Sequence, residues 1–211
     1  CDPTLRNYAG TDMNGYYLYD SEGVKARRVD NVVNGVLRSF LVNRVPLDGF
    51  PQSNGHGRAS GGNDPVSRQS NLVVETKVPN TDAQLRQMLR REAKKQGKEY
   101  GYYFRTVTSG YTMTGEGGSI NSFNVTPVEV YRVYVDGRPD ELVRGVSLIG
   151  TPLSMFSHIQ AGGDKPSTFT GICGAESGWV PVTASSPSIF VSQIETQRSP
   201  KDNNIPPALN A

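Results

Sequence analysis

The sequence predicts an α+β fold that is predominantly antiparallel β-sheet, with two or so short helices. Short runs rich in Val, Tyr, Phe, Ile and Thr recur along the chain, separated by many of its 23 Gly and 14 Pro residues. This pattern is typical of strands bounded by turns. Helix signals, by contrast, are confined to two segments. The 211 residues are enough to bury a real core, in one large domain or two small ones.

Two dipeptides predict β-hairpins. Asn34-Gly35 lies inside "KARRVDNVVNGVLRSFLVN", and Asp136-Gly137 lies inside "VEVYRVYVDGRPDELVRGVSLIG". Both dipeptides favour a tight turn, because the glycine accepts positive φ without steric cost. The arms around them alternate in character with a period of two, as strands do.

The first helix is predicted from about Asp82 to Gln96. Thr81 and Gln84 have the spacing of a capping box, and Gly97 is a suitable stop signal. The helix carries several basic residues, but no aromatic residue lies among them. We therefore interpret that side as a solvated helix face.

The second helix is predicted to be short, from about Pro152 to Ala161. Thr151 is a natural N-cap, proline suits the first helical position, and Gly162 suits the exit. The predicted buried stripe of this helix consists of Leu153, Phe156 and Ile159. His158 borders that stripe, and a partly buried, hydrogen-bonded structural histidine is the favoured interpretation.

A long glycine- and serine-rich loop is predicted between Asp48 and Asn71. Its glycines match neither the P-loop nor the G-x-G-x-x-G pattern, which excludes these phosphate-binding motifs. Gly55 and Gly57 flank His56 and allow the backbone to approach a ligand closely. Two interpretations remain open for His56, a tight turn with an exposed imidazole or a residue that lines a cleft.

Cys173 is the only cysteine in the interior of the sequence, with glycines nearby at Gly171 and Gly174. The context "GICGAESG" predicts a loop. The residues alone leave three interpretations open: a small buried apolar side chain, a nucleophile, or a metal ligand. No histidine is close to Cys173 in sequence, so spacing does not decide among them.

Charge and cysteine usage exclude several classes of protein. Twenty-two Lys+Arg against 20 Asp+Glu give a net charge of +2, which is no footprint for nucleic acid or an anionic membrane. No apolar run approaches the ~20 residues needed to span a bilayer. Two cysteines are no disulfide framework, so a cytoplasmic location is expected. A lipid-anchored protein with its lipid on Cys1 is an alternative.

Six segments, taken together and in order, resemble one known family. They are "DPTL", "YDSEGVKARRV", "NGVLRSFL", "SNGHGRASGGNDPVSRQSN", "VRGVSLIGTPL" and "GICGAESGWVPV", which span most of residues 1–196. Together they are similar to the C-terminal part of the TldD/PmbA zinc metallopeptidases, once named modulators of DNA gyrase.

The resemblance implies a zinc site completed by this chain. Family members carry a His-Glu-x-x-x-His helix upstream of the "DPTL" segment, and a cysteine of a late Cys-Gly motif supplies the third ligand. That motif matches Cys173-Gly174, which makes Cys173 the expected zinc ligand. The 211 residues contain no His-Glu-x-x-x-His, so this chain alone is expected to be inactive and to contain no catalytic residue of its own.

The resemblance also implies a peptide or unfolded segment as substrate and a homodimer or a heterodimer with a related subunit. The residues expected to bind substrate are His56, Gly55, Gly57 and Gly174. Residues 1–197 are expected to form the peptidase-like domain, and residues 198–211 a disordered or extended tail. The alternative function is a non-catalytic, PmbA-like partner subunit or a regulatory domain.

Overall fold

A computed structural model of the protein describes residues 1–113 and 121–198. The chain forms two compact units, which are interleaved in sequence. The first comprises Cys1–Lys77 and Asp164–Ser188, and the second comprises Val78–Gly163 and Ile189–Ala211, described as far as residue 198. None of the helices in the described ranges has the length and apolar character needed to cross a membrane.

The early part of the first unit contains short strands. They are β1 (Asn7–Tyr8), β2 (Thr11–Asp12), β3 (Val32–Val33), β4 (Val36–Leu37), β5 (Gly57–Arg58), β6 (Val66–Ser67) and β7 (Asn71–Val73). The first six form three antiparallel pairs, β1–β2, β3–β4 and β5–β6. The predicted turn between β3 and β4 is confirmed, with φ of 54° at Asn34 and 75° at Gly35.

The predicted long loop between Asp48 and Asn71 thus contains β5 and β6 and is anchored at several points. The amide of Arg68, just after β6, donates to the carbonyl of His56, just before β5, at 2.9 Å. The segment is therefore an ordered, hydrogen-bonded part of the first unit.

Two long strands are shared between the units. β12 (Ile159–Ala175) and β13 (Gly178–Val191) are hydrogen-bonded neighbours, and β13 also pairs in parallel with β7, with Thr183 opposite Asn71. The sheet order β12-β13-β7 leaves β12 on an edge among the described strands.

The core of the first unit combines small apolar side chains with buried polar ones. Val42, Val180 and Val182 are buried, and so are Asn71 and Thr183. Most buried polar groups in proteins have at least one hydrogen-bond partner. Asn71 Nδ2, for example, donates to the carbonyl oxygens of residues 2 and 5 at 3.1 and 2.9 Å.

The second unit begins with helix α1 (Asp82–Lys95). The predicted capping box is confirmed: the Thr81 hydroxyl accepts from the Gln84 amide, and the Gln84 side chain accepts from the Thr81 amide. Gly97 follows the helix with φ of 66°, as a stop signal should. Local sequence signals therefore mark both ends of this helix.

The sheet of the second unit consists of β8 (Tyr100–Met113), β9 (Ser122–Tyr134), β10 (Glu141–Val143), β11 (Val146–Gly150) and β14 (Glu195–Arg198). Their described pairings are antiparallel. The predicted turn at Asp136-Gly137 is confirmed, since it joins the paired strands β9 and β10. Together with the helices, these sheets confirm the α+β class.

Helix α2 is shorter than predicted and runs over Pro152–Ser157. Its N-cap is Thr151, as predicted, but β12 begins directly after His158. The predicted buried stripe was wrong, because Leu153 is 83% exposed and Phe156 59% exposed. A helix of six residues presents too little surface for apolar spacing to identify a buried face.

The predicted domain over residues 1–197 stays a prediction. Residues 199–211 of the predicted tail lie outside the described residues, and Arg198 is the last residue of β14.

Candidate metal centre

Cys173 lies in β12, two residues before that strand ends, and not in the loop that its glycine neighbours predicted. The residue is half-buried. Both cysteines of the chain have free thiols. Cys1 is also half-buried, and its sulfur lies 3.1 Å from the Ser70 hydroxyl.

The glycines near Cys173 make room for aromatic rings. A Cβ added at Gly171 would lie 2.6 Å from the Phe169 ring, and one at Gly174 would lie 2.7 Å from the Trp179 ring. Contacts below about 3.0 Å are not sustained by real Cβ atoms, so any other residue would displace the ring. The glycines therefore serve packing within a strand, which explains why the sequence pattern was mistaken for a loop.

The turn after Cys173 is tightly placed. We call residues 173–178, the end of β12, the turn and the first residue of β13, the Cys173 hairpin. Ser177 in this turn is 1% exposed, and its carbonyl accepts from the Ser60 amide at 2.9 Å. Gly178 has φ of 84°, which favours glycine at that position.

Arg68 connects both sides of the Cys173 hairpin. It is 5% exposed. Its Nη2 donates to the Cys173 carbonyl oxygen at 2.5 Å, and its Nη1 donates to the Ser177 hydroxyl at 2.7 Å and the Gly178 carbonyl at 3.0 Å. A single guanidinium thus contacts the strand end, the turn and the start of the next strand.

A second buried arginine, Arg58, lies in β5. Its Nη1 donates to the Gln69 carbonyl at 2.6 Å, and its guanidinium lies 4.9 Å from the centre of the Tyr17 ring. Burial lowers the pKa of Arg58, and the nearby Arg68 adds to this effect. Burial also raises the pKa of Tyr17 to about 12. Two cations are therefore kept in the interior of the first unit, where charge is costly.

His56 is completely buried, so the interpretation as an exposed imidazole was wrong. Its Nδ1 lies 3.1 Å from Asn54 Oδ1, and its Nε2 has no partner among the described residues. Burial lowers the pKa of His56 to about 4, so the ring is neutral at pH 7. The other interpretation, a residue that lines a cleft, stays a prediction.

Gly55 and Gly57, on either side of His56, approach other parts of the chain closely. A Cβ at Gly55 would lie 2.5 Å from the Lys25 carbonyl oxygen, and φ is 80° there. A Cβ at Gly57 would lie 2.7 Å from the Glu22 carboxyl carbon. Both glycines thus have an intramolecular role in packing, and their role in substrate binding, like that of Gly174, stays a prediction.

His158 is the C-cap of α2 in the second unit. Its Nδ1 lies 2.7 Å from the Ser154 carbonyl oxygen, and the residue is half-buried. This is the hydrogen-bonded structural histidine that the sequence predicts.

The described residues do not form a complete metal site around Cys173. Within residues 1–113 and 121–198, no three or more His, Cys, Asp or Glu residues are grouped as a metal site would require. A free, half-buried thiol is nevertheless a suitable donor for zinc, because zinc in proteins is bound by thiolate and imidazole.

Sequence reasoning missed both Arg58 and Arg68. Each lies in a polar, glycine- or serine-rich context, "HGRAS" and "SRQSN", where an arginine is normally solvated. Their burial depends on partners far away in the chain, so local sequence contains no signal for it. The one sequence signal for a role of these arginines is that both lie within the same family-like segment, "SNGHGRASGGNDPVSRQSN".

The family model described as the PmbA/TldA metallopeptidase C-terminal domain matches residues 2–198. The chain belongs to the TldD/PmbA family. Its relatives include a metalloprotease of Methanothermobacter thermautotrophicus, 31% identical over 90% of this chain and 37% of that protein. A metalloprotease of Archaeoglobus fulgidus is 28% identical over 90% of this chain and 39% of that protein.

A solved structure shares the fold of this TldD/PmbA-family chain. TldE from Thermococcus kodakarensis matches with a TM-score of 0.57 at 13% identity, over 92% of this chain and 38% of that one. The chain therefore corresponds to the C-terminal portion of its family, and it spans less than two-fifths of the length of these relatives.

Proposed function

We propose that this chain is the C-terminal part of a zinc-dependent metallopeptidase and that Cys173 is its zinc ligand. The observation that carries the proposal is the free, half-buried thiol of Cys173 in the family's C-terminal domain. This residue begins the Cys173 hairpin, which hydrogen bonds hold in place. The two imidazole ligands and the general-base glutamate come from a His-Glu-x-x-x-His helix outside these 211 residues.

The donor chemistry is consistent with this role. Two imidazoles and one thiolate leave a fourth position of tetrahedral zinc for water. Bound zinc supplies a Lewis acid and lowers the pKa of that water toward neutrality. The proposed contribution of this chain is to present one sulfur, because its described residues contain no group of three or more potential metal ligands.

The substrate is proposed to be a peptide or an unfolded segment that adds as a strand. β12, which contains Cys173, is an edge strand of the described three-stranded sheet. An edge strand offers unpaired backbone groups to an extended peptide, and such pairing tolerates many side chains. A bound peptide without main-chain contacts to an edge strand would contradict this mode of binding.

A non-catalytic partner subunit is the second candidate. The similarity in fold to TldE is compatible with it, since fold alone does not distinguish a catalytic subunit from its partner. The gene sequence upstream of residue 1 separates the two. A His-Glu-x-x-x-His there supports the peptidase, and a long upstream region without it supports the partner subunit.

We further propose a cytoplasmic dimer, formed with a second copy or a related subunit and without direct nucleic-acid or membrane binding. The dimer is supported by exposed apolar side chains in the second unit, Leu153 and Phe156 among them, which a second protein surface could cover. Light scattering of the purified full-length protein, alone and with the related subunit, tests the dimer; a monomer in both samples would contradict it.

Cys173→Ser in the full-length protein is the main test of the zinc proposal. The substitution replaces the thiolate, a strong donor for zinc, so zinc content and peptide hydrolysis should both fall sharply. Cys1→Ser is the matched control, because Cys1 is the other free, half-buried cysteine of the first unit. Unchanged zinc content in Cys173→Ser would rule out the ligand role.

A further inference from the structure

The buried guanidinium of Arg68 binds three acceptors, and all three belong to the Cys173 hairpin. Arg68 itself is fixed from the other side, because its amide donates to the His56 carbonyl. The side chain therefore connects the β5–β6 region to the strand end that contains Cys173.

The charge of Arg68 makes this connection costly to maintain and rigid when formed. Among the described residues, no carboxylate is within ion-pair distance of Arg68. Its desolvation is offset by charge-assisted hydrogen bonds to carbonyl and hydroxyl oxygens, which are stronger than neutral ones. The planar guanidinium also has fixed donor directions, so it constrains the positions of its acceptors.

The contact at Cys173 is to the main-chain carbonyl oxygen, two bonds away from the Cα that bears the side chain. Nη2 donates to the Cys173 carbonyl oxygen, while Nη1 holds the turn residue Ser177 and the Gly178 carbonyl. Both sides of the hairpin are thereby fixed to one rigid group. This arrangement restrains the peptide group that follows the Cys173 Cα.

We propose that Arg68 is a positioning residue for Cys173, which fixes the Cys173 hairpin so that the thiol is presented to the metal in one geometry. The inference rests on the proposed function, since it assumes that Cys173 is the ligand. Partners that orient a metal ligand typically change metal affinity by about 10- to 100-fold when they are removed.

The experiment uses the full-length protein with Arg68→Met, Arg68→Lys and Ser177→Ala. Arg68→Met keeps the apolar stem and removes all donors, whereas lysine restores a charge without the planar fork. Ser177→Ala removes one acceptor and leaves the arginine in place. Val42→Ala is the matched control, because it perturbs the buried core of the first unit at a residue whose hydrogen bonds are to Ser53 and Asn54 and not to the Cys173 hairpin.

Three measurements separate positioning from general stability. Hydrogen exchange in the metal-free protein reports on peptides that cover residues 171–180. Zinc affinity is measured by competition with a chelator. Cobalt in place of zinc gives a thiolate-to-metal charge-transfer band that reports on the sulfur bond itself.

We expect Arg68→Met to increase exchange in residues 171–180 and to weaken zinc binding by at least about tenfold, with a reduced charge-transfer band. Compared with Arg68→Met, Arg68→Lys should restore the stability of the protein more fully than it restores the charge-transfer band. Ser177→Ala should change exchange, zinc affinity and the band in the same direction as Arg68→Met, but less. Val42→Ala should lower stability and leave the band unchanged.

Unchanged exchange in residues 171–180, or an unchanged band and zinc affinity, in folded Arg68→Met would overturn the positioning role. An equal loss of the band in Val42→Ala would also overturn it, because the effect would then follow from stability alone. Cys173→Ser, measured in parallel, separates the two proposals. If it retains the band, the ligand assignment is wrong, and the positioning inference falls with it.

Discussion

The carbonyl oxygen of Cys173 accepts a 2.5 Å hydrogen bond from Nη2 of Arg68, a residue 105 positions earlier in the chain. The two residues belong to different parts of the first unit, the loop region around β5–β6 and the end of β12. A contact of this kind is formed only in the folded state, so the surroundings of the thiol depend on the whole unit.

Gly174→Ala should displace the Trp179 ring. The added Cβ would lie 2.7 Å from that ring, which is 65% exposed and free to move outward. We therefore expect a changed tryptophan emission spectrum, with a loss in the free energy of unfolding below about 1 kcal/mol. Gly61→Ala is the control, because a Cβ there meets nothing within 4 Å. Identical emission from Gly174→Ala and wild type would contradict the packing described for this glycine.

Stability should depend on pH through His56. Its pKa is about 4 in the folded protein, against 6.5 for an ordinary histidine. His56 therefore becomes protonated below about pH 6.5 in the unfolded chain, but only below about pH 4 in the folded chain. The free energy of unfolding should fall as pH falls between these values, by at most about 3 kcal/mol at ~1.4 kcal/mol per unit.

The measurement for His56 is urea unfolding at several pH values between 4 and 7. His56→Gln, which does not titrate, should flatten the dependence in this window. His158→Gln, at the other histidine of the chain, should leave it in place. A curve for His56→Gln as steep as that of wild type would show that other groups cause the dependence.

Asn71→Leu should destabilise the first unit. The fully buried Asn71 amide donates to the carbonyl oxygens of Asp2 and Leu5, and leucine would leave both without that donor. We expect a loss of about 2–3 kcal/mol in the free energy of unfolding and faster proteolysis within residues 1–6. The exposed Asn7 provides the control, since Asn7→Leu should cost far less. Equal stability of the two variants would contradict this role.

Local features of the fold could be predicted from sequence because near neighbours determine them. Asn34-Gly35 forms its turn through its own φ values, and Thr81 and Gln84 cap α1 through bonds within one helical turn. The prediction of a buried stripe on α2 was wrong because burial is not determined by near neighbours. Whether Leu153 is covered depends on distant parts of the fold, and no period within six residues contains that information.

The surroundings of Cys173 were only partly predictable. The resemblance to a family predicted Cys173 as a zinc ligand, and that role stays a prediction. The fold class that the sequence predicted is confirmed. The strand around Cys173 was not predicted, because the glycines that accommodate Phe169 and Trp179 cannot be distinguished from loop glycines by sequence. Arg68 was hidden because hydrogen bonds across 105 residues leave no local pattern.

The interleaving of the two units has a consequence for the order of synthesis. β7 leaves the ribosome more than a hundred residues before its parallel partner β13, and the Val78–Gly163 part of the second unit is made in between. Long-range parallel pairing of this kind is slow to form. Completion of the first unit therefore requires a strand that is synthesised only after most of the second unit, so the hydrogen bonds that surround the Cys173 thiol depend on the last third of the chain.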